Sequence, residues 1–313
     1  MLGKTAGGLF WMFRNLERSE NTARLLEAGF RMALTRSSAA EDEWASVVSA
    51  AGSQQQYAEC YDQYDAANVI DFLLRDRTNP ASVISVVENA RNNARVVRTA
   101  LTREVWEATN ECWITLKDLL SKPISERDLP DTLGTVRQQS SLVRGALHGT
   151  MLRNDIYDFA RLGTFLERAD NTSRILDVKY YVLLPSASFV GSSLDNVQWE
   201  SILRSVSAQR AYRWLNPGDI NPAWIADFLI RDRRLPRSLA FCYAKIVDNL
   251  NSLENDYGLH HPCHDQATET YRRLKDTPID NIFDSGLHEF IIDFIRSNTQ
   301  LGMQIEQDYR FYG

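Results

Sequence analysis

The stretch Leu16-Glu17-Arg18-Ser19-Glu20-Asn21-Thr22-Ala23-Arg24 occurs twice in this chain, returning half a chain later as Leu166-Glu167-Arg168-Ala169-Asp170-Asn171-Thr172-Ser173-Arg174. A second block follows each copy in the same order. Asp71-Phe72-Leu73-Leu74-Arg75-Asp76-Arg77 is answered by Asp227-Phe228-Leu229-Ile230-Arg231-Asp232-Arg233. Two matched blocks in one order point to internal duplication. Read as a helix, Glu17, Glu20 or Asn21, and Arg24 fall at i, i+3, i+4 and i+7, so a carboxylate, an amide and a guanidinium share one stripe. Phe13, Leu16, Ala23, Leu26 and Phe30 form an apolar stripe beside it. A freely solvated face has no reason to keep the same polar residues at the same places in both halves.

Two readings of that stripe stay open. In one, Glu17 pairs with Arg168 and Glu167 with Arg18 across a pseudo-two-fold axis, a fork-to-fork network that fixes register. In the other, the stripes wall a polar pocket between the halves that grips an anionic or zwitterionic ligand. The Arg75 and Arg231 triplets close a helix before a proline. They are read either as local ion pairs complementing the helix dipole or as guanidinium groups that face the stripes and complete one anion-binding network.

Taken in order, the chain alternates amphipathic helices with short polar breaks. A long helix is expected over about 5–34 and a second over about 151–184, stopped by Pro185. Asn79-Pro80 reads as an N-cap with proline at the first helical position, ahead of a helix through Val83, Val86, Val87, Ala90 and Ala94. That helix carries a further polar stripe of Glu88, Arg91, Asn92 and Arg95. Helices are also expected over 103–120, 133–147, 224–231, 236–253 and 287–309, with a Ser/Gly-rich crossover over 186–196. Period-two alternation is almost absent, so the expectation is an all-α bundle of two related halves, about 1–148 and 149–313, packed as one body.

The balance of 35 basic and 41 acidic residues, a net charge of −6, argues against a nucleic-acid partner, because no basic patch accompanies it. No apolar run is long enough to span a bilayer, and the start of the chain reads as a helix and not a leader. The spacing of Cys60, Cys112, Cys242 and Cys263 fits reduced thiols in a cytoplasmic protein. His260-His261-Pro262-Cys263-His264 gathers ligand-type residues, but adjacent positions point apart and no second element supplies partners, so no metal is expected. Neither a Gly-rich phosphate loop nor a nucleophile elbow appears, and no cofactor is implied.

Several of these segments together resemble the bacterial Alpha-E family, also called domain of unknown function 403, an α-helical domain with a Glu-Arg motif. They are Thr5-Ala6 with Phe10-Trp11, Leu16 to Leu26, Gly149-Thr150-Met151, Leu162-Gly163 with Leu166-Glu167-Arg168, Pro236-Arg237-Ser238-Leu239 with Phe241-Cys242, and Gly286 to Phe290. The resemblance runs nearly end to end. It implies a cytoplasmic accessory protein that works beside a circularly permuted ATP-grasp ligase, often with a transglutaminase-like cysteine peptidase, in forming or processing peptide or amide bonds. On that reading the groove holds a peptide-like or amino-acid-like substrate. Glu17 and Glu167 meet an ammonium or pair with Arg18 and Arg168, Asn21 and Asn171 stand beside them, and Arg24, Arg174, Arg75 and Arg231 meet carboxylate or phosphate. The alternatives are a stand-alone enzyme with Glu17 or Glu167 as general acid or base, and a purely structural interaction protein. A carboxylate flanked by arginines has a lowered pKa, which suits a base poorly at neutral pH.

Overall fold

The computed structural model of the chain describes residues 1–35, 40–182, 193–218 and 220–312. Among these residues every regular element is helical and none is a strand. Pro185 and most of the crossover expected over 186–196 lie outside the described residues.

Two long helices, α1 (Gly3–Thr35) and α8 (Asp155–Val182), lie against each other at the centre. They carry the two copies of the repeated stretch. Between them in the chain come α2 (Ala40–Ala50), α3 (Gln54–Ala58), α4 (Ala66–Leu74), α5 (Val83–Val96), α6 (Arg103–Leu119) and α7 (Leu129–Thr150). After α8 come α9 (Ser193–Ser205), α10 (Gln209–Leu215), α11 (Pro222–Arg231), α12 (Leu239–Tyr257), α13 (Pro262–Asp276), α14 (Ile279–Ser285) and α15 (Leu287–Asp308). Helices α5 and α7 pack on α1, while α12 and α15 pack on α8. Helix α2 touches both members of the central pair.

Local chemistry sets the ends of the flanking helices. Asp65 caps α4 by accepting from the Asn68 amide at 2.9 Å, and Asn221 caps α11 through the Trp224 amide at 3.1 Å. Ser82 and Ser238 cap α5 and α12, accepting from the amides of Ser85 and Phe241. These hydroxyls occupy the orphan donors of the first turn. The N-cap expected at Asn79 is therefore three residues early. Asn79 instead folds back, donating to the Phe72 carbonyl at 3.0 Å and accepting from the Ala81 amide at 2.9 Å. Pro80 and Pro236 stand in the segments that lead into the caps.

The central pair is buried around most of its circumference, so it lacks a solvated face on the repeated stretch. Phe10, Phe13 and Leu16 of α1 and Phe159, Leu162 and Leu166 of α8 are in the core, and Glu17, Glu20 and Glu167 are buried with them. The backbones come into direct contact at Gly163. A Cβ there would lie 2.1 Å from the Phe10 carbonyl oxygen and 3.2 Å from the Arg14 amide nitrogen. Neither is the end of a flexible side chain, so only glycine fits.

Gly163→Ala is therefore expected to cost about 2 kcal/mol or more, at the upper end of overpacking penalties, read as a lowered urea midpoint. Gly134→Ala, at a helical glycine whose added Cβ would meet nothing within 4 Å, should instead gain about 0.5–1 kcal/mol.

Candidate functional site

The repeated stretch brings its ionisable groups together where α1 and α8 meet. Arg168 donates from Nε to Glu17 Oε1 at 2.8 Å and from Nη2 to Glu17 Oε2 at 2.9 Å. Reciprocally, Arg18 donates from Nε to Glu167 Oε1 at 2.6 Å and from Nη2 to Glu167 Oε2 at 2.8 Å. Both expected cross-helix forks thus form. Planar guanidinium and carboxylate groups meeting through two parallel hydrogen bonds have the geometry best able to offset the cost of burial.

Further arginines extend the network. Arg14 reaches Glu167 Oε2 at 3.0 Å. Arg144 of α7 binds Glu17 at 3.1 Å and also pairs with Glu20. Arg237, just before the cap of α12, pairs with Glu20, donates to Asn21 Oδ1 at 3.3 Å and stands 3.3 Å from Glu17 Oε1. Arg24 holds Glu20 through Nε and Nη2 at 3.0 and 2.8 Å and donates from Nη1 to the Ser205 carbonyl at 3.0 Å. On the other helix, Arg174 pairs with Asp170 at 2.6 Å and donates to the Ala50 carbonyl at 3.3 Å. Asn21 donates to the Glu167 carbonyl at 3.2 Å.

Burial alone pushes the Glu17 carboxyl upward, but Arg168, Arg237 and Arg144 together outweigh it and hold the group well below the usual carboxylate range. Glu167 is held down to about 2: burial opposes ionisation, and Arg18 and Arg14 override it. Glu20 is also lowered despite burial and the neighbouring Glu17 charge, because Arg237, Arg144 and Arg24 surround it. Burial, with Arg24 nearby, brings the Arg237 guanidinium down to about 10. Cys242 lies close to Arg168, yet burial pushes its thiol up to about 12, and burial does the same to Cys112. These are poor proton acceptors and poor nucleophiles near neutrality.

Arg75 and Arg231 do not join this network. Arg75 pairs with Asp71 one turn back on α4 and donates to the Leu120 carbonyl at 3.0 Å. Arg231 pairs with Asp227 at 2.9 Å and donates to the Lys275 carbonyl at 3.4 Å. The local-pairing reading of both triplets is the one the structure adopts, because each block carries its own acid at i−4. The stripe on α5 is also separate: Glu88 pairs with Arg77, and Arg91 donates to Asn110 at 2.9 Å. The histidine cluster opens α13. His264 is buried, accepts from the His261 amide at 3.1 Å and lies 3.1 Å from the Leu250 carbonyl through Nε2. Exposed His260 faces Glu254 and Asp265.

Beside the forks lies a cavity of about 260 Å³. Arg18 and Asn21 of α1 and Asp170, Asn171 and Arg174 of α8 line it, together with the α2–α3 turn at Gly52 and the Asn79–Ala81 segment. Gly52 has φ +70°, and a Cβ on it would lie 2.9 Å from Arg174 Nη1. Its glycine therefore suits both the left-handed backbone and the guanidinium beside it. Asn171 is buried, and its Oδ1 has no hydrogen-bond partner among the described residues.

The family model for the Alpha-E domain, described as a predicted alpha-helical domain with a conserved ER motif, matches residues 1–310. An uncharacterized protein of Mycobacterium bovis and one of Mycobacterium tuberculosis are each 22% identical over 307 residues, which cover 92% of this chain and 34% of theirs. The chain thus spans about a third of the length of these curated relatives. No solved structure matches it.

Glu167→Gln leaves the half-buried Arg18 and Arg14 against a neutral amide. A loss of about 3–5 kcal/mol is expected, the range for breaking one partner of a buried pair, read by urea denaturation at pH 7. Because the folded pKa values of Glu17 and Glu167 lie below the unfolded value of about 4.3, their stabilisation is present above that pH. It is lost as pH falls toward about 2 for Glu167. The wild-type urea midpoint should therefore drop steeply between about pH 4 and pH 2, and less so in the variant.

Proposed function

The chain belongs to the Alpha-E family, and from that premise we propose that it is a non-catalytic accessory subunit whose seam cavity holds a small polar substrate, amino-acid-like or peptide-like. The observation that carries the reading is the cavity itself, about 260 Å³ of space walled by the repeated Glu-Arg stretch. The partner is a circularly permuted ATP-grasp ligase, with a transglutaminase-like cysteine peptidase in the same bacterial cytoplasmic system. The chain presents substrate to the ligase for peptide or amide-bond formation.

The chemistry of the seam supports binding over catalysis. Glu17 and Glu167 are each gripped by two or more arginines, and their low pKa values leave no basic carboxylate to take a proton at neutral pH. Arg18 and Arg174 line the cavity as members of ion pairs, and they retain N–H groups that can meet a carboxylate. No helix among the described residues is long and apolar enough to cross a membrane.

Co-expression with the neighbouring ATP-grasp protein, followed by affinity capture of one chain and size-exclusion mass measurement, is expected to give a stoichiometric complex. Separate chains with and without nucleotide would overturn the accessory reading. Turnover by the isolated chain that disappears in Glu17→Gln would replace it with catalysis.

A further inference from the structure

The two sides of the seam are filled differently. Pro236-Arg237-Ser238-Leu239 leads into α12 and Pro80-Ala81-Ser82-Val83 leads into α5, with the serine as N-cap in both. The residue between proline and cap is Arg237 on one side and Ala81 on the other. Arg237 is buried, donates to Asn21 Oδ1 and pairs with Glu20. Ala81 reaches nothing comparable. It borders the cavity together with Asn171 and Asp170, which answer Asn21 and Glu20 in the repeated stretch.

Two differences between the sides accompany that space. Asn21 Oδ1 is satisfied by Arg237, whereas Asn171 Oδ1 is buried with no partner among the described residues. An unpaired buried acceptor is destabilising. Glu20 receives Arg24, Arg144 and Arg237, whereas the ion pair of Asp170 among the described residues is with Arg174 alone. The volume, about 260 Å³, far exceeds the ~10–15 Å³ that one water needs on this measure.

We propose that this cavity binds a guanidinium group, the side chain of free arginine or of an arginine in a peptide, which donates to Asn171 Oδ1 and the Asp170 carboxylate as Arg237 donates to Asn21 and Glu20. A planar, multi-donor cation matches an amide oxygen beside a carboxylate better than a point-charge ammonium does. An anion in the same place would leave Asn171 Oδ1 unpaired and face the Asp170 charge. The remaining donors of Arg18 and Arg174 are then available for a carboxylate on the same molecule. The inference rests on reading the seam cavity as a ligand site and names the class of ligand it takes.

The test is titration of the full chain with L-arginine by calorimetry and thermal shift. Saturable binding is expected, with L-lysine at least tenfold weaker. Ala81→Arg should remove the binding by placing the chain's own guanidinium there. Asp170→Asn, which leaves the cavity open, should weaken it at least tenfold and keeps the test decisive if Ala81→Arg fails to fold. Nα-acetyl-arginine amide separates the two sources: affinity equal to or above that of arginine assigns a peptide side chain, and weaker affinity assigns the free amino acid. No saturable arginine binding, lysine binding as tight as arginine, or binding unchanged in the folded variants would overturn the proposal. A stable complex with the ATP-grasp protein alongside absent arginine binding would remove this inference alone. Arginine binding without a complex would remove the accessory reading and leave the ligand class standing.

Discussion

The reciprocal fork between Glu17 and Arg168 and between Glu167 and Arg18 is the interaction on which the rest of the structure depends. Two carboxylates this deep would not stay charged alone, since the cost of desolvating an ion is several kcal/mol even after relaxation. Each is held by a guanidinium from the other helix, so the charges survive only when α1 and α8 are together in one register. A slip of one residue along either helix would turn a glutamate out of its fork by about a hundred degrees, as the helical period requires. The surrounding layers of α5, α7, α12 and α15 then have a fixed spine to pack on.

The same electrostatics bear on function. Surrounding a carboxylate with arginines makes it a permanent anion and removes it from proton transfer. On the reading proposed above, the seam's part is recognition, through a cavity, donors that are partly spent and an acceptor without a partner among the described residues. The proposed accessory role follows from that reading, with one chain holding a molecule and another performing the chemistry on it.

The sequence disclosed the all-helical class and the cross-helix forks because both rest on local spacing repeated in the chain. It did not disclose Arg14, Arg144 or Arg237. Arg144 meets Glu17 and Glu20 only through the packing of α7 on α1, a contact with no trace in periodicity. Arg237 left a trace: the Pro-Arg-Ser-Leu segment aligns with Pro-Ala-Ser-Val, and the change of arginine for alanine marks the side on which the cavity opens. Arg75 and Arg231 looked like site residues because their triplets recur, but the recurring block also contains Asp71 and Asp227 one turn earlier, which are their partners. The Asn79 cap failed for a similar reason. Two cap-forming residues stand three apart, and the later one, Ser82, takes the role while Asn79 ties down the loop.

At Gly163 the backbone of α8 rests on that of α1, with no side chain between them to yield. The cavity is walled farther along the same helix pair, by Arg18 and Asn21 of α1 and Asp170 and Arg174 of α8. The turn at Gly52 and the Asn79–Ala81 segment complete its lining. These two short stretches connect α2 to α3 and α4 to α5. On the ligand-site reading proposed above, an occupant would therefore touch the central pair and both of these connections at once.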